Sequence, residues 1–149
     1  MKKYELTANV KTVFGRTLYQ IKALISFGTV EAGDLGGWVE KEENLSHEGD
    51  AWVYGDAWVY GDARVYGNAW VYGNAGVYGD AEVLWFSKVG SENGTLTACR
   101  SKDGGIWVSR GCFSGTLEQF ESAVAKRHGD SKVGQEYGLL IQFIKMRLG

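Results

Sequence analysis

The chain has 149 residues, room for one domain or two small ones, and folding at that size removes roughly two-thirds of the unfolded surface from water. It carries 16 basic and 18 acidic residues for a net charge of −2, which excludes a uniformly basic surface of the kind nucleic acid requires. No apolar run approaches the ~18 residues of a membrane span and no basic-then-apolar leader opens the chain, so neither membrane nor export is expected and the cytoplasm is the expected location.

In chain order, residues 1–34 read as a β cap. Val10 to Phe14 and Leu18 to Ile25 are rich in strand formers, with Gly15-Arg16 as the turn between them. From Ala51 to Val83 one phrase recurs, AWVYGD, AWVYGD, ARVYGN, AWVYGN, AGVYGD, AEV, with alanine and valine fixed in phase two residues apart. A strict period of six signals short strands joined by corners, each unable to bury its valine unless neighbours stack on it. The phase extends back to Leu35, giving first slots at 35, 41, 47, 53, 59, 65, 71, 77 and 83 and placing Lys41 and His47 in inward positions. Residues 35–83 therefore form a repeat unit. Aspartate and asparagine after glycine, at Asp50, Asp56, Asp62, Asn68, Asn74 and Asp80, read as turn residues rather than metal ligands.

This aliphatic-first, small-fifth pattern resembles the hexapeptide repeat of left-handed β-helices, as in bacterial acyltransferases. The resemblance implies a mainly β fold with a short three-coil left-handed β-helix, coils about 4.8 Å apart. Residues 18 apart then stack: Trp52 under Trp70, Tyr54 under Tyr72, Tyr60 under Tyr78, Arg64 under Glu82. The segment Val30 to Val39, followed by Asn44-Leu45-Ser46, resembles a lead-in of hexapeptide-repeat proteins of bacteria and their prophages. The stretch from Trp85-Phe86-Ser87 through Arg110 to Thr116 is similar to a small domain that accompanies such repeats in phage proteins.

Residues 84–149 form a C-terminal αβ module. Leu84–Val89, Thr95–Arg100 and Ile106–Arg110 read as strands. Thr116 and Gln119 make a capping-box pair for a helix that buries Leu117, Phe120 and Val124 and ends at His128-Gly129, and a second helix runs from about Gln135 to Leu148. Cys99 and Cys112 lie on neighbouring predicted strands and are expected to stay reduced.

No HExxH, GxSxG or phosphate-binding loop occurs and the cysteines lack ligand spacing, so no cofactor or metal is expected. The acyltransferase resemblance implies a histidine base, for which the chain offers His47 as the alternative catalytic candidate; an inward or helix-end structural role suits His47 and His128 better. Two surfaces suggest binding instead. With alanine and valine inside, Trp52, Tyr54, Trp58, Tyr60, Trp70 and Tyr72 should face outward, with Tyr66 and Tyr78 beside them, a patch that needs cover. Self-association explains it, and the resemblance implies a homotrimer; a partner protein of the host, stacked sugars or bases, and tyrosines stacked on one another are the alternatives. On the C-terminal strands, Lys88, Arg100, Lys102 and Arg110 with Ser91 and Asn93 offer cations and hydrogen-bonding groups suited to a phosphate-bearing small ligand. The expected function is non-enzymatic binding, the phage-like resemblance implying sequestration of a host nucleotide signal in counter-defence. An acyltransferase and a purely structural scaffold are the rival expectations.

Overall fold

The computed structural model describes residues 2–79, 82–90, 94–111 and 113–149. β1 (Tyr4–Val13) and β2 (Arg16–Ala23) form an antiparallel hairpin whose register slips between Leu6 and Val10. The turn falls at Phe14 and Gly15, both at positive φ. β2 continues antiparallel onto β3 (Leu35–Val39). The first strand starts much earlier than its strand-forming run because Tyr4 is tied down elsewhere. Its hydroxyl donates to the Leu45 carbonyl at 2.6 Å and lies 2.8 Å from the Glu42 carbonyl oxygen, around the short 3-10 turn Glu42–Asn44.

The repeat follows as four two-residue strands, β4 (Trp52–Val53), β5 (Trp58–Val59), β6 (Trp70–Val71) and β7 (Gly76–Val77). Every alanine and valine of the phrases from Ala51 to Val77 is at most 2% exposed. Between phrases the chain turns at Gly49, Gly55, Gly61, Gly67, Gly73 and Gly79, all with φ between 61° and 69°, a conformation glycine adopts without the Cβ penalty.

The regular three-coil left-handed β-helix implied by the hexapeptide likeness is not what forms. The protein is mainly β with two helices, but its sheets are mixed and antiparallel. β3, β5 and β7 join the N-terminal hairpin in a five-stranded sheet ordered β1-β2-β3-β5-β7, while β4 and β6 make a separate pair. Pairing 18 residues apart does occur, in Trp52 with Trp70 and Trp58 with Gly76. Val39 with Val59 and Leu45 with Val65, however, are 20 apart. The phase slips by two in the segment between Leu45 and Val53, so Val39 and Leu45 are the buried members there and Lys41 and His47 are not interior. Arg64 does not meet Glu82 either: Glu82 accepts from Arg147 at 3.0 Å, and the Arg64 guanidinium lies 5.9 Å from the Tyr66 ring.

β8 (Leu84–Val89), β9 (Gly94–Arg100), β10 (Ile106–Arg110) and β11 (Phe113–Thr116) form an antiparallel sheet, the last strand being one the sequence pattern does not announce. Its two faces follow the period of two. Trp85, Cys99 and Trp107 pack on the repeat, whereas Leu84, Phe86, Leu96, Ala98 and Val108 pack under α1 (Leu117–His128) and α2 (Lys132–Leu148). The capping box is formed: Thr116 Oγ1 accepts from Gln119 N at 3.1 Å and Gln119 Oε1 from Thr116 N at 2.9 Å. α2 begins before its predicted start, capped by Ser131, because Gly134 is a close-packing residue rather than a breaker; a Cβ there would meet the Gly129 carbonyl oxygen at 2.3 Å.

Candidate functional site

Where the three parts of the chain meet they leave a cleft. The loop after β2 supplies Gly28 and Thr29, the repeat supplies Asp50, Asn68, Trp70 and Tyr72, and the C-terminal sheet supplies Thr95, Ser109, Arg110 and Gly111. Its volume is about 520 Å³, within the several hundred Å³ typical of small-molecule sites. A second hollow of about 480 Å³ shares Thr29, Trp70, Tyr72 and Gly111 and adds Asp34, Trp52 and Tyr54, so the two form one trough.

Its aromatic wall is held rigidly. The Trp70 backbone N–H donates to Thr97 Oγ1 and its indole Nε1–H to the Asp50 carbonyl, both at 3.0 Å. The Tyr72 hydroxyl sits 2.8 Å from the Phe113 carbonyl oxygen and 3.1 Å from that of Gly111. Tyr54 leans on both rings, 6.4 Å from Trp70 and 5.6 Å from Tyr72. Polar side chains line the same cleft. Asn68 Nδ2 donates to Ser87 Oγ at 3.3 Å, and Ser87 Oγ lies 3.0 Å from Thr95 Oγ1. Arg110 is positioned by its Nη2 donating to the Val89 carbonyl at 3.2 Å and by the Tyr137 ring 5.9 Å from its guanidinium. Aromatic rings, short hydrogen-bonding side chains and an arginine lining one cleft suit a ligand with a flat ring and an anionic group.

Of the cations expected to form one site, only Arg110 lines this cleft. The β9–β10 register places Arg110 opposite Leu96 and Ile106 opposite Arg100, so Arg100 is four residues, about 13 Å, along the sheet. There it donates to the Gly104 carbonyl. Lys102 lies beyond, its ammonium 4.3 Å from the Trp58 ring. Lys88 is exposed at the bulged end of β8 with φ 60°. Ser91 and Asn93 lie outside the described residues. A run of alternating basic residues on adjoining strands is thus spread along the sheet rather than gathered.

The aromatic residues also part company. Trp52 is 1% exposed, an interior side chain edged by Phe27 at 5.3 Å and Tyr4 at 6.3 Å, and Tyr60 packs against Val13 and Leu18. Their expected outward placement fails because the N-terminal hairpin and its following loop cover them. Trp58 is half-buried beneath Phe14 and Lys102. Tyr60 and Tyr78 stack at 5.2 Å, a tyrosine ladder, and Tyr54, Tyr66 and Tyr78 remain about half exposed.

His47 is built in as a structural group. Its ring stacks on Tyr4 at 4.2 Å, and Nδ1 accepts from the Lys3 backbone N–H at 3.1 Å, which fixes the neutral tautomer with the proton on Nε2. Nε2 is buried, 4.0 Å from a Glu42 carboxylate oxygen. Burial holds the imidazole below its ordinary pKa, against the raising effect of Glu42. The one nitrogen with a lone pair is occupied, so the geometry does not present a base to a substrate. His128 ends α1 with its ring 5.8 Å from Tyr137. Cys99 is fully buried and its thiol is pushed up to about 12 by burial, so it is unreactive; Cys112 lies outside the described residues.

Among the described residues no group of three or more His, Cys, Asp or Glu side chains is placed to hold a metal, and no helix is long and apolar enough to cross a membrane. No protein-family model matches the chain and no curated protein matches it. Sequence reasoning named Trp70, Tyr72, Thr95 and Arg110 in separate roles and missed Gly28, Thr29, Asp50 and Asn68. Asp50 and Asn68 follow corner glycines like every other turn residue of the repeat; only the arrival of β8–β10 beside them distinguishes them.

Proposed function

We propose that the protein binds a phosphate-bearing small molecule with an aromatic ring, a nucleotide in the simplest case, and holds it without chemical change. The observation that carries this reading is the cleft that Trp70, Tyr72, Thr95, Ser109 and Arg110 line together. A base stacked on such a wall gains about 1–3 kcal/mol, and a phosphate on arginine forms charge-assisted hydrogen bonds. Asn68, Thr95 and Asp50 line the same cleft and would contact the edge of the base and a ribose. Retention without reaction is sequestration, and the resemblance to phage and prophage proteins supports a counter-defence role against a host nucleotide signal in the bacterial cytoplasm.

Calorimetric titration with cyclic and linear nucleotides, nucleosides and inorganic phosphate tests this. A nucleotide is expected to bind one per cleft and to be recovered unaltered, with Asn68→Ala and Arg110→Lys each weakening it about tenfold, or 1.4 kcal/mol. Absence of heat for every nucleotide at high protein concentration overturns the reading, and recovery of a converted ligand replaces it with an enzyme.

A further inference from the structure

We propose that α2 is the seam of a symmetric homodimer, an inference independent of the ligand reading. Both helices lie on the same face of the C-terminal sheet, yet their outward sides differ. α1 turns Glu118, Ser122 and Lys126 to solvent. α2 exposes Leu139 at 68%, Phe143 at 46% and Met146 at 84%, spaced four and three residues apart and therefore on one stripe. With Tyr137, Ile141, Ile144 and Leu148 already buried on the sheet side, α2 is apolar on two faces, the pattern of a helix covered on both.

The charges beside the stripe say what covers it. At 100° per residue Glu136 and Arg147 fall about 20° apart on the same flank, one near each end of the helix. Laying a second α2 antiparallel across the first, with the twofold axis near Phe143, brings Leu139 of each copy to Met146 of the other. The same operation sets Glu136 of each copy against Arg147 of the other, twice. One surface thus complements itself in shape and in charge, which is what an isologous contact requires, and antiparallel helices also oppose their dipoles. Arg147 already bonds Glu82 through Nε at 3.0 Å, leaving its remaining guanidinium N–H groups for a second carboxylate. Phe143 is partly fixed by Phe86, ring centres 5.9 Å apart.

Light-scattering mass and sedimentation velocity across a concentration series test the seam. The expected mass is twice the 16.4 kDa chain. Leu139→Glu and Met146→Glu, both at exposed positions, should keep the circular dichroism spectrum and raise the dissociation constant more than about tenfold. Glu136→Arg alone should weaken the dimer, and Glu136→Arg combined with Arg147→Glu should restore it. A single-chain mass at every concentration, a trimer, or a dimer indifferent to Met146→Glu overturns the proposal.

Discussion

Lys102 occupies the place that a tryptophan holds one rung away in the repeat. The strand pairing runs Trp38, Trp58, Gly76, and a Cβ on Gly76 would lie 3.1 Å from both Cα and Cγ of Lys102. The lysine backbone is fixed there by its N–H donating to the Asn74 carbonyl at 2.9 Å, and its ammonium covers the Trp58 ring at 4.3 Å. The phrase AGV, a departure from AWV, is thus the seat of the C-terminal module. Restoring the repeat with Gly76→Trp should destabilise the protein by overpacking, about 1–3 kcal/mol or more, read as a lower midpoint in urea. An unchanged midpoint would show that the module does not sit on this rung.

Gly67 and Gly79 have nearly the same backbone, φ 65° and 61°, but different surroundings. A Cβ at Gly67 meets Trp85 at 2.3 Å, whereas one at Gly79 meets nothing within 4 Å among the described residues. Gly79→Ala should cost only the left-handed strain of about 1–2 kcal/mol. Gly67→Ala should cost clearly more and speed amide exchange in β8 and β9. Equal losses in the two variants contradict the docking role of Trp85.

Asn44 is fully buried and stitches the 3-10 turn to the repeat with four hydrogen bonds. Its Oδ1 accepts from the backbone N–H of Glu40 and Lys41, and its Nδ2 donates to the carbonyls of Gly61 and Ala63. Asn44→Ala leaves buried donors and acceptors unpaired and should lower unfolding free energy by about 3 kcal/mol or more in equilibrium denaturation. A loss under about 1 kcal/mol refutes this, since that is the scale of one ordinary hydrogen bond.

His47 should make stability depend on pH. Burial depresses its folded-state pKa, so near neutrality the unfolded chain binds more protons than the folded one. Its contribution is complete above the unfolded value of about 6.5 and is lost as pH falls below it. His47→Asn retains an acceptor for the Lys3 N–H but does not titrate. Denaturation midpoints of this variant should fall less steeply between pH 7 and 5 than those of the unaltered protein; parallel slopes count against the assignment.

The alanine–valine phase of the repeat, the capping box at Thr116 and Gln119 and the first three C-terminal strands are legible because each is a local pattern. The two-residue slip before Val53 is not, since the phrases from Lys41 to Ala51 hold no repeated side chain to expose it. Trp52 and Trp58 share one phrase position, yet only Trp52 is fully buried, closed over by Tyr4 and Phe27 far away in the chain. The likeness to hexapeptide proteins carried an expectation of regular coils that β2 overrides by pairing with β3 and drawing the repeat into a mixed sheet. The cleft was the least legible feature: Thr29, Asp50, Asn68 and Arg110 become neighbours only after three units have packed together.

The most direct test follows the indole N–H resonances of the six tryptophans during a nucleotide titration. Binding in the cleft should shift Trp70 first and strongly, leaving Trp38 and Trp58 in place. Shifts confined to other indoles, or none at saturating nucleotide, would contradict the account.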